Sequence, residues 1–190
     1  MRTKRDLLEL IRKSQTFISI ILFFFVFIFC WQVTDFEITD IQLSKWGESG
    51  LTAPIWNSIV CLLSVSIFIN SMLYIKNSHR VKRKTLSYAL FGFISLCLFL
   101  VGLFNVNYSF IHNLSAYLYF FTYPLAIFIF TYINRATLQY KDWIRDLSIS
   151  IMMIILPLIF IALFKGMALA ETVHTALVIT WNIKLALKND

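Results

Sequence analysis

Six stretches of the chain are apolar for long enough to cross about 30 Å of hydrocarbon: 16–33, 53–75, 86–104, 112–133, 147–164 and 167–187. Within them the pattern does not alternate. "IILFFFVFIFCW", residues 20–31, is apolar at every position, whereas a strand lining a membrane barrel reads apolar and polar in turn. Helix is therefore the expected secondary structure, because a backbone facing lipid must satisfy its own hydrogen bonds. Pro124 and Pro157 fall inside the fourth and fifth runs, where a kinked helix braced by its neighbours is expected. The sixth run is the most diluted, by Glu171, His174, Asn182 and Lys184. No linker, repeat or low-complexity stretch divides the runs, so residues 1–190 read as a single integral domain, an all-α bundle of six transmembrane helices. The first run reads as an uncleaved span, since no small-x-small cleavage site follows it.

Composition agrees. The chain is 59% hydrophobic, with 19 Phe and a mean hydropathy of +0.75, against about 45–50% apolar for soluble domains. The net charge of +7 raises nucleic-acid binding as an alternative, but its distribution opposes that. The basic residues sit in short clusters between apolar runs, at "MRTKR", "IRK", "HRVKRK" and "KDWIR". With six spans and an internal N-terminus, 15 of the 17 lysines and arginines fall on one side, leaving only Lys45 and Lys165 on the other. That asymmetry predicts that both termini are cytoplasmic. Cys30, Cys61 and Cys97 lie within apolar runs without metal-ligand spacing and read as buried free thiols.

With this orientation most of the expensive polar groups share the external face. His112 opens the fourth span, Glu171 and His174 lie in the first turns of the sixth, Asn57 lies near the start of the second, and Asn105 just past the third. The first external loop adds Asp35, Glu37, Asp40, Ser44, Trp46 and Gly47. Asn70, Asn134 and Asn182 sit instead towards the cytoplasmic ends. Ionisable groups are costly in hydrocarbon and tend to pair, so His112 is expected to approach Glu171 and His174 at a shared pocket. Spans two, three, four and six, which hold the small and polar residues, are expected at the bundle centre, and span one at its periphery. Gly92, Ser95, Ser64 and Ser66 are expected to allow close helix approach.

Glu171 and His174, three residues apart, share a helix face. An E-x-x-H pair with His112 or a loop Asp as third ligand would make an open zinc site, a minority reading beside a Glu–His hydrogen bond that tethers helices. No cofactor is expected. Ser44 and Ser115 are candidate nucleophiles by proximity only.

These residues also carry a resemblance. The stretches "IQLSKWG" ending at Gly47, "PIWNS" with Asn57, "VGLFN" with Gly102 and Phe104, "IHNLSAYL" with His112 and Ala116, and "GMALAETVHTALVITW" with Glu171 and Trp181 occur in that order. Together they resemble the prokaryotic six-span domain-of-unknown-function family numbered nine-nine-eight, over about residues 16–187. Asn105 stands where that pattern has Pro, and Thr172 where it has a basic residue after the Glu. The resemblance implies a six-helix membrane fold and no established activity, and a more distant similarity to the Frag/DRAM/Sfk group implies association with lipid.

Three functions are compatible with these residues. The favoured one is a binding or accessory membrane protein whose external pocket holds a lipid headgroup, a small solute or a partner helix. Its pocket candidates are His112, Glu171, His174, Asn57, Ser44, Ser115, Asn105 and Trp181. The others are an intramembrane lipid-modifying or metal-dependent hydrolase using His112, Glu171 and His174, and a small subunit or homo-oligomer whose polar face meets a partner. The expected surroundings are the lipid bilayer of a bacterial cytoplasmic membrane.

Overall fold

The computed structural model describes residues 4–35, 37–39 and 41–188, so Asp40 lies outside the described residues. Six helices follow one another: α1 (Lys4–Val33), α2 (Thr52–Asn77), α3 (Lys84–Leu103), α4 (Ser109–Ile133), α5 (Tyr140–Leu163) and α6 (Ala168–Leu187). Short 3-10 turns at Leu43–Gly47 and Val106–Tyr108 occupy the first and third loops. α1 starts at Lys4, about three turns before its apolar run, and α5 starts at Tyr140 with Asp142 in its first turn. Charged residues extend both helices past the hydrocarbon, since Lys, Arg and Glu are good helix formers.

Among the described residues α1 to α5 are long and apolar enough to cross a membrane, and α6 falls short of that measure. The packing explains the exception. Sequential helices lie against one another, and α6 returns against both α1 and α2. It also meets α3 through Phe91 and Trp181, stacked with centroids 5.0 Å apart, and α4 through Asn182 Nδ2, which donates to Tyr123 Oη at 2.7 Å. α5 meets it through the Lys184–Asp146 ion pair. Along α6 only Ala176, Thr180 and Leu187 are exposed. This helix is surrounded by protein rather than lipid, so it needs partners more than it needs hydrophobicity.

The outer helices show the reverse. Ile18, Phe25, Phe121, Leu158 and Leu163 are exposed, as large apolar side chains facing acyl chains should be. α1 presents lipid with most of its surface and turns a narrow polar stripe inward: Arg12, Thr16 and Ser19, spaced for one helix face, are all buried. Ser19 donates to Ser66 Oγ of α2 at 2.6 Å. α2 and α3 approach closely at Gly102, where a Cβ would stand 2.7 Å from Cys61 Sγ and 2.9 Å from the Asn57 carbonyl oxygen. Gly92 does not have the close-approach role expected of it, since a Cβ there would meet only Phe68 at 3.9 Å.

On the face where the chain begins and ends, the polar residues stitch helices together. Asn70 Nδ2 donates to the Asn182 carbonyl at 3.0 Å. Asn134 Oδ1 accepts from Lys82 N at 2.8 Å, and Thr137 Oγ1 donates to the Arg80 carbonyl at 2.6 Å. The α2–α3 and α4–α5 connections are thereby joined.

Candidate functional site

At the opposite end the first loop folds over the helix tips. Gly166 N donates to Thr39 O at 2.7 Å and Ala168 N to Ile41 O at 2.9 Å, tying the loop to the start of α6. Trp46 is buried edge-on to Phe27 and Trp56 and donates Nε1–H to Thr34 Oγ1 at 3.0 Å. Asn57 Nδ2 donates to Gly47 O at 3.1 Å. A Cβ on Gly47 would collide with the Asn57 side chain, so the glycine makes room for that bond.

Beneath the loop lies a crevice of about 700 Å³, its open mouth included, walled by α1, α2, α3, α4, α6 and the loop turn. Its polar rim is Ser44, Asn57, His112 and Glu171. Its depth is apolar, with Phe23, Val60, Leu63 and Leu98. Glu171 is held by Leu43 N, which donates to Oε2 at 2.6 Å. His112 donates Nδ1–H to Phe104 O at 2.8 Å, a carbonyl left open where α3 ends, which leaves Nε2 as the ring's remaining polar atom. No lysine or arginine lines the crevice among the described residues. The rim therefore mixes the Ser44 hydroxyl and Asn57 amide with the Glu171 carboxyl and carries no cation, which suits a ligand with hydrogen-bond donors or a positive charge better than a bare phosphate.

Only some of the eight candidates meet here. Ser44, Asn57, His112 and Glu171 do. His174 lies on the far side of Glu171, in a second groove between α4, α5 and α6. In place of mutual pairing, Glu171 holds the loop, while His174 Nδ1–H donates to Met153 O of α5 at 3.3 Å. Asn105 caps the second 3-10 turn, accepting from Asn107 N at 3.2 Å. Ser115 is buried on α4, and Trp181 is fully buried in the bundle interior; both stand apart from the crevice walls. Among the described residues no three His, Cys, Asp or Glu side chains gather closely enough to hold a metal ion.

The walls include residues that the sequence reading passed over: Tyr119, Phe120 and Thr175. Their signal was available in spacing. Ala116, Tyr119 and Phe120 follow His112 by four, seven and eight residues, and Thr175 follows Glu171 by four, which are the offsets of one helix face.

The family model described as "Protein of unknown function (DUF998)" matches residues 17–188. The chain belongs to this family. No curated protein and no solved structure matches it. Apart from Trp181, the residues that carried the resemblance to DUF998 come together at this end of the bundle. Gly47 makes room for Asn57, Gly102 lies against the Asn57 backbone, the Phe104 carbonyl holds His112, and Glu171 holds the loop. In this DUF998 chain they form one connected frame around the crevice.

Proposed function

We propose that this multi-pass membrane protein binds the headgroup of a membrane lipid in the loop-covered crevice, with the lipid's donor or ammonium group at Glu171. One observation carries the reading: a single crevice with Ser44, Asn57, His112 and Glu171 at its rim and mainly apolar walls below, broken by Tyr119 and Thr175, a gradient that matches an amphiphile. The charge asymmetry supports an extracytoplasmic crevice and cytoplasmic termini. Hydrolase chemistry has weaker support, because among the described residues no hydrogen bond joins His112, Glu171 and His174, and His174 belongs to the other groove.

The test compares lipids retained by purified protein with those of the membrane it came from, by mass spectrometry. Lipids with ammonium or hydroxyl headgroups are expected to be enriched. Glu171→Gln, which preserves an acceptor for Leu43, should reduce that enrichment about tenfold, as loss of a charge-assisted hydrogen bond implies. A retained spectrum identical to the bulk membrane would overturn the reading.

A further inference from the structure

The second groove, about 560 Å³ with its open side, runs between α4, α5 and α6 and is lined almost entirely by apolar side chains. Tyr117, Phe121, Leu158 and Ile161 on its walls are exposed, so it opens sideways, towards the acyl chains. Two wall residues, Glu171 and His174, do not fit an apolar role, and Glu171 already accepts from Leu43 N. His174 is 1% exposed, and its Nε2 has no hydrogen-bond partner.

The state of that nitrogen follows from the helix opposite. In a regular helix the Met153 carbonyl would accept from the amide four residues on, but residue 157 is proline and has no N–H. The freed carbonyl takes the Nδ1–H of His174 instead. A carbonyl can only accept, so Nδ1 carries the proton and the neutral ring leaves Nε2 as a lone-pair acceptor. Glu171, on the same groove, is an acceptor too. A buried acceptor without a donor is costly, and lipid tails have no donor to offer. Phe120, half-buried with its ring 4.6 Å from the imidazole, divides this groove from the crevice and lines both.

We infer that the α4–α5–α6 groove is a binding site, distinct from the headgroup crevice, for an uncharged lipid headed by a free hydroxyl, which donates to His174 Nε2 while its chain leaves past Phe121 and Ile154 into the acyl layer. Long-chain alcohols and diacylglycerols share this chemistry. An ester- or ether-capped chain does not.

Photo-crosslinking of the full chain in phosphatidylcholine nanodiscs tests this. The probes are diazirine-bearing hexadecanol, its methyl ether, and a diazirine-bearing diacylglycerol. The alcohol is expected to label residues 117–121 or 153–161 about fivefold more than the ether, the ratio expected of one hydrogen bond. His174→Phe should remove that preference while ether labelling persists. If His174→Phe does not fold, Leu158→Trp, at a lipid-exposed position, should block the groove and abolish labelling by the alcohol. Diacylglycerol labelling at the same residues would identify a two-chain lipid, and its absence beside alcohol labelling a single-chain one. Equal labelling by alcohol and ether, or a preference that survives either substitution, would overturn the inference.

Discussion

The Arg12 guanidinium joins the first helix to the last, its Nη1 2.6 Å from the carbonyl oxygen of Leu185. Nη2 adds the Lys188 carbonyl at 3.0 Å and Glu9 at 3.1 Å, and the group lies over the Tyr74 ring at 5.7 Å. The last carbonyls of a helix have no partner within it. Here an arginine that is 1% exposed supplies donors to them. Arg12→Leu is expected to lower stability by about 2–4 kcal/mol, because it removes buried charge-assisted bonds to the Leu185 and Lys188 carbonyls and leaves the former only the Lys188 amide at 3.3 Å. Arg12→Lys should recover only part, since an ammonium lacks the planar fork that spans two oxygens. Thermal unfolding in detergent measures both.

Asp146 and Lys184 form an ion pair between α5 and α6, with 1% and 10% of their side chains exposed. Asp146→Leu alone is expected to destabilise by about 3–5 kcal/mol, because a cation is left without its partner. The double change with Lys184→Met should restore most of that loss, as removing both charges removes the desolvation penalty with the attraction. A double-mutant cycle in detergent reads the coupling, and additive losses would reject it.

Gly102→Ala is expected to cost about 1–3 kcal/mol, the range for overpacking, because one of the atoms its Cβ would crowd is the backbone oxygen of Asn57. Gly92→Ala should stay within about 0.5 kcal/mol of the parent, since its Cβ meets only ordinary contact. The melting temperatures of the two variants should separate accordingly.

For topology, single cysteines at Ser49 and Lys82, both exposed, are placed in a chain lacking Cys30, Cys61 and Cys97. An impermeant thiol reagent added to intact cells should label position 49 and spare position 82. The reverse result would invert the assigned orientation.

The run lengths and the absence of alternation made the helical bundle legible, because bilayer thickness sets span length directly. Asn57, His112 and Glu171 were legible as neighbours at one end of the bundle because polar groups at helix tips on one face have few places to go. What stayed hidden was pairing across the bundle. Arg12 read as one more cytoplasmic charge, although Thr16 and Ser19 lie on its helix face. His174 read as Glu171's partner from their spacing, yet the two tether α6 to α5 and to the loop respectively. Which neighbour a side chain meets depends on helix rotation and on the carbonyl freed by Pro157, and neither is written in local periodicity.

The enclosure of α6 also bears on how the protein is made. Synthesis releases the other five helices first, and each is apolar enough to enter the bilayer unaided. The sixth carries Glu171, His174, Asn182 and Lys184 and has poor affinity for lipid on its own. Membrane entry for this segment therefore waits on a vestibule already built by its predecessors, whose donors and acceptors take the place of water. Any lesion that keeps α1 to α5 from closing around that space would strand α6 outside the bilayer, exposed to the quality-control proteases that survey new membrane proteins.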